Sequence, residues 1–214
     1  MVETQSISIL EMATKGGWIM IVLLVLSIIA LYLFGKKLWM ILSAEKIESN
    51  FLNDIRDYLA DGKIKSAKTL CGKFDTPVAR MVEAGIDKIG QPVSDIQACM
   101  DNVGNAEISR LEKGLPYLAT IAGGAPMLGF LGTVTGMIKA FFNMANAGNN
   151  IDISLLSSGI YEAMVTTVGG LIVGILAYFG YNILSAKVSD VVSKMENTSI
   201  EFLEIIGGEN HENK

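Results

Sequence analysis

Apolar residues fall into three long runs separated by polar sequence. The first, WIMIVLLVLSIIALYLFG, is unbroken from Trp18 to Gly35. The second extends from Leu115 to Phe142 and carries one charge, Lys139. The third extends from Ser157 to Ser185 and carries one charge, Glu162. About 20 apolar residues suffice for a helix to cross the hydrocarbon core of a bilayer. No period-two alternation competes with the helical pattern, so the runs predict an all-α membrane protein with three transmembrane helices. Trp18 and Trp39 are separated by about 31 Å of helix, at ~1.5 Å per residue, and suit anchoring at the two interfaces.

The polar stretches read as helices too. From Glu45 to Ala60, apolar Ile47, Phe51, Ile55 and Leu59 recur at helical spacing, ending at Asp61-Gly62. Thr76-Pro77 is an N-cap followed by proline at the first helical position, and that helix is expected to run through Met81 and Ile89 to Gly90. Gln91-Pro92 makes a turn. A further helix runs from Val93 toward Lys113 and on into the second span. Asn143–Ile153 is a short loop. After the third span an amphipathic stretch with Val188, Val191, Met195 and Leu203 extends the helix to Gly207-Gly208. Beyond it, GGENHENK has the composition of a disordered tail.

Charge orients these segments. Of 17 Lys and Arg, only Lys15 and Lys139 lie outside residues 36–113 and 187–214. The positive-inside rule makes those regions cytoplasmic, and the flanking Lys36-Lys37 and Lys187 agree. The expected organisation is a periplasmic N-terminus (1–17), transmembrane helix 1 (18–35), a cytoplasmic helical domain (36–114), transmembrane helix 2 (115–142), a periplasmic loop (143–156), transmembrane helix 3 (157–185), and a cytoplasmic helix with a disordered tail (186–214). A cleaved signal peptide fits poorly, because the basic pair follows the first apolar run rather than preceding it.

Composition excludes several function classes. A net charge of −5 argues against nucleic-acid binding. Cys71 and Cys99 form no CxxC pair, and His211 is the only histidine, so no metal site, disulfide framework or cofactor is expected. No nucleophile–base set or phosphate loop appears, so the chain is not expected to be an enzyme.

What chemistry remains is in the spans. An acid at the centre of a membrane helix costs about 2.5–3.5 kcal/mol on insertion scales. Such a residue is by default a functional site. Glu162 is followed by Thr166 one turn on and by Thr167. Spans two and three form a hairpin centred near Asn149-Asn150, so residues at equal depth have numbers summing to about 300. This sets Thr133 level with Thr167, and Lys139 beside Glu162. Helical angles alone do not decide which of Thr166 and Thr167 faces a pore and which a neighbouring helix. Lys139 has three readings: its stem snorkels to the outer interface, it has a lumenal role, or it forms an ion pair with Glu162. Gly132/Gly136 and Gly170/Gly174 are small-xxx-small pairs suited to close helix packing and, through it, to association of copies.

APMLGFLGTVTGM in span two and GIYEAMVTT in span three also resemble the MotA/TolQ/ExbB proton-channel family, in its ExbB/TolQ branch, and the topology agrees over nearly the whole chain. The resemblance implies a homopentamer in the bacterial inner membrane. Its pore would hold the single spans of an ExbD-like or TolR-like dimer. Proton flow would drive a TonB-like or TolA-like protein. By position, Glu162 matches the family glutamate, Thr133 the threonine of LGTV, and Thr167 the second threonine of the span-three pore layer. Two departures stand out: Lys139 lies in an apolar stretch, and Thr166 stands where a small residue is common. The reading is a proton-channel subunit of an inner-membrane motor that energises TonB-dependent transport. Its rivals are a TolQ-like subunit of the Tol envelope-constriction system and a non-conducting membrane scaffold. The three-span count speaks against a MotA-type stator, which resembles a four-span protein.

Overall fold

A computed structural model describes residues 17–45, 50–146 and 153–212. Among them the chain is helical with no strand. The helices are α1 (Gly17–Ala44), α2 (Phe51–Ala60), α3 (Ile64–Cys71), α4 (Pro77–Ile86), α5 (Val93–Glu112), α6 (Leu115–Asn146) and α7 (Ile153–Glu212). Three of the helical stretches are long and apolar enough to cross a membrane. The chain divides into two compact units. The first contains the described residues through Gly35 together with Gly114–Asn182; the second contains Lys36–Lys113 and the described residues from Ile183 onward.

In the first unit, α6 and α7 form a close antiparallel pair, and α1 packs on it. Ile19 and Leu23 of α1 are buried with Ala125 of α6, and Met20, Leu128 and Val173 complete the cluster. Outside this seam the unit exposes large apolar side chains, among them Trp18, Leu31, Phe130, Ile138, Leu176 and Phe179. A water-soluble domain does not leave so much apolar surface uncovered. Such a surface suits lipid, where bringing helices together depends on close fit rather than on hiding apolar area.

The second unit has the inverse pattern. Phe51, Ile55 and Leu59 of α2 are buried, as their spacing predicts. Phe202, fully buried, packs where Gly85 leaves room: a Cβ there would lie 2.6 Å from the Phe202 ring and 2.7 Å from Met100 Sδ. Thr76 caps α4, accepting from the Ala79 N–H at 3.3 Å, and Pro77 opens the helix as expected. Arg80 donates to both carboxylate oxygens of Glu107, at 2.9 and 2.6 Å, tying α4 to α5. Glu45 joins Lys187 at 3.4 Å and Lys194 at 3.3 Å. Hydrogen bonding from Lys194, ahead of that from Lys187, holds the Glu45 carboxyl below its ordinary pKa.

Several boundaries differ from the sequence reading. The helix expected from Glu45 begins at Phe51, with Asn50 at its N-cap; Ile47 lies outside the described residues. Helix α3 was not expected. The helix expected to reach Gly90 ends at Ile86, followed by turns into Gly90 at φ +95°. The expected run from α5 straight into the second span is interrupted: Gly114, at φ +101°, takes a left-handed conformation that L side chains rarely adopt, and α6 starts anew at Leu115. The loop expected from residue 143 is shorter, since α6 continues to Asn146 and α7 begins at Ile153. Gly207-Gly208 does not stop α7, which runs through the expected disordered tail to Glu212. Glycine in a helix interior costs about 1 kcal/mol relative to alanine, which weakens a helix without forbidding it.

Candidate functional site

The α6–α7 contacts keep the register in which facing residue numbers sum to about 300. Close approaches pair Pro126 with Gly174, Gly129 with Gly170, Gly132 with Thr166, Gly136 with Ala163, and Ala140 with Gly159. Glycine makes this spacing attainable. A Cβ at Gly129 would sit 2.8 Å from the Thr166 carbonyl oxygen, and one at Gly170 2.6 Å from that of Ala125. Gly132, Gly136, Gly170 and Gly174 therefore lie at the α6–α7 contact within one chain. Their pattern is explained by the hairpin and no longer argues for association of copies.

Glu162 lies on α7 within this frame, its side chain 29% exposed, and Lys139 Nζ on α6 is 3.8 Å from its Oε2. That is a charge contact beyond hydrogen-bonding range. The carboxylate Oε1 lies against Gly17, the first residue of α1, where a Cβ would collide with it. Gly17 also has φ +65°, so it meets two demands that a side chain would violate. The acid is thus bracketed by a cation on α6 and by the start of α1. Nothing in the spacing of the sequence announces the second contact, which joins residues far apart in the chain.

The threonines separate. Thr166 is 1% exposed, sealed against Gly132, and donates to the Ala163 carbonyl at 2.8 Å. Thr167 is half-buried and donates across the hairpin to the Gly129 carbonyl at 3.3 Å. Thr133 is half-buried and donates to the Phe130 carbonyl at 2.6 Å. Of the two neighbours, Thr166 faces the adjacent helix, so its position does not offer the pathway role expected of it. Thr133 and Thr167 remain accessible, and their oxygens keep lone pairs that can accept another hydrogen bond. Among the described residues no group of His, Cys, Asp and Glu could hold a metal ion.

The fold and this acid define a helical membrane protein with an ionisable group built into a tightly packed two-helix frame. Residues 73–197, more than half of the chain, match the model of the MotA/TolQ/ExbB proton channel family, and the chain belongs to that family of channel proteins. The protein named ExbB-like 1 of Synechocystis sp. is 28% identical over 209 residues, covering 96% of this chain and 79% of that one. An ExbB homolog of Methanothermobacter thermautotrophicus is 27% identical over 191 residues, covering 88% and 67%. The Tol-Pal system protein TolQ of Haemophilus influenzae is 31% identical over 146 residues, covering 68% and 63%.

Proposed function

We propose that this chain is the proton-channel subunit of an inner-membrane motor complex that uses the proton motive force to energise TonB-dependent transport across the outer membrane. The observation that carries this reading is Glu162: the one acid in the three apolar runs, partly accessible, in a chain of a proton-channel family. In this reading five copies surround the single spans of an ExbD-like dimer, and a TonB-like protein takes up the motion. Glu162 hands the proton on, with Thr133 and Thr167 as hydroxyl steps. No aspartate lies in any of the three runs, so the second acid of the relay comes from the partner. The test is co-expression with a single-span protein carrying an intramembrane Asp, followed by native mass measurement in detergent. A complex of five copies with two partners is expected. A chain that ignores such partners and instead gathers unrelated proteins is the scaffold of the rival reading. The similarity to a TolQ protein keeps a Tol-type role as the second reading, and selective capture of a TolR-like partner decides for it.

The reading also carries the topology: residues 36–114 and 186–214 in the cytoplasm, residues 1–17 and 143–156 outside, the N-terminus periplasmic. Native Cys71 is a poor reporter for it. Cys71 is 2% exposed, and burial pushes its thiol pKa up to about 12, so almost no reactive thiolate exists near neutral pH. Exposed Lys65 is a better site. In sealed cells an impermeant maleimide is expected to label Asn149→Cys and to spare Lys65→Cys. Labelling of Lys65→Cys from outside reverses the proposed orientation.

A further inference from the structure

The three apolar runs carry one acid and one base between them, Glu162 and Lys139. Helices α6 and α7 bring the two together, with Lys139 Nζ 3.8 Å from Glu162 Oε2. The other carboxylate oxygen, Oε1, lies against Gly17 at the start of α1. Each oxygen of the acid therefore has its own neighbour: an ammonium at one and a glycine at the other.

An exposed pair at this distance adds little cohesion. Charge nevertheless acts beyond hydrogen-bonding range, and more strongly where water is scarce. Lys139 is thus a cation on a tether, kept at the carboxylate whatever ions the medium holds. The consequence differs between ions. A proton forms a covalent bond to one carboxylate oxygen and needs no further ligands. A sodium ion has no such bond. On leaving water it must collect several oxygen ligands, and at Oε2 it meets the ammonium. Repulsion by Lys139 acts on any arriving monovalent cation alike, so the ion that keeps its hold is the one with a covalent bond to offset it.

We propose that Lys139 is a specificity-determining residue for the ion taken up by Glu162, admitting the proton and excluding sodium from the carboxylate. This assignment rests on Glu162 carrying the transported ion, as proposed above, and supplies a reason that the ion is a proton. It also gives a role to the one base in the apolar runs, which the relay itself does not use.

The test uses the full chain in neutral detergent and a hydrophobic carbodiimide. The reagent modifies a protonated carboxyl group and is slowed by a cation seated on that carboxyl. Loss of the unmodified Glu162 peptide is followed by mass spectrometry, with sodium chloride replacing choline chloride at constant ionic strength. The parent is expected to lose Glu162 at the same rate in both salts. In Lys139→Met and Lys139→Gln, sodium should slow the loss several-fold, while Lys139→Arg keeps the parent's indifference. Both neutral variants replace a side chain that is 68% exposed, so neither opens a cavity. A lysine that only supported the fold would leave the response to sodium unchanged. Protection of the parent by sodium overturns the proposal, and that measurement needs no variant to fold. Equal rates in the two salts for the two neutral variants also overturn it. The relay reading fails separately: it falls if Glu162→Gln transports normally, whatever sodium does to the carbodiimide reaction.

Discussion

Glu162→Gln is expected to abolish energy-dependent uptake through the outer membrane while leaving the folded assembly intact. Glutamine keeps the shape of the side chain and its capacity to accept a hydrogen bond, but it cannot gain and lose a proton. A relay group must do both during turnover. The membrane potential supplies about 2.3 kcal/mol per charge for each 100 mV. That biases a proton step but does not carry an unpaired charge through lipid, so one missing relay group is enough to stop the cycle. The competing view, that Glu162 is a structural partner of Lys139, has limited support in the geometry. The two groups are 3.8 Å apart without a hydrogen bond, and Lys139 is 68% exposed. Comparing Glu162→Ala, Lys139→Ala and the double variant measures the pair directly, since a structural pair couples strongly in stability. Weak coupling together with dead transport supports the relay. Normal transport by Glu162→Gln at normal protein level makes the acid structural and moves the proton route to the partner.

How far this site could be read from the chain differs by level. Length and hydropathy suffice to find a membrane helix, because every face of it can be apolar, and the three runs were plain. The same uniformity hides which face packs. Thr166 and Thr167 are adjacent and both polar, and the ~100° between them does not say which one meets the partner helix. Only the fit of Thr166 into the space at Gly132 separates them. In the second unit, where one face is wet, periodicity carries more: Phe51, Ile55 and Leu59 are buried as their spacing predicts. Helix α3 escaped because it is 8 residues long and its inward face is only Ala67 and Cys71. The arrival of Gly17 at Glu162 is a consequence of tertiary packing and leaves no local trace. The glycines misled in a different way. Their spacing announces close packing, but spacing does not tell whether the partner helix belongs to the same chain.

That distinction yields the second large effect. Gly170→Leu is expected to prevent the α6–α7 hairpin from closing and to leave little folded protein. A Cβ at Gly170 would lie 2.6 Å from the Ala125 carbonyl oxygen, 2.9 Å from Gly129 Cα and 3.1 Å from Gly129 N. All three are backbone atoms, so no side chain can turn aside and the helices themselves must part. Overpacking in a tight interior typically costs about 1–3 kcal/mol and occasionally more. Here the whole seam depends on close backbone approach, so the loss spreads to its neighbours. Gly123→Leu is the matched control: the same helix pair, the same change, and no atom within 4 Å of the added Cβ. It should keep the thermal midpoint and protease resistance of the parent. Gly132→Ala falls between them, since it collides with the Thr166 side chain, at 2.6 Å from its Cβ. Removing that side chain with Thr166→Gly should restore part of the loss, a rescue that the backbone clash at Gly170 does not allow. Gly170→Leu folding as well as Gly123→Leu contradicts the hairpin contact and returns these glycines to the interface between copies.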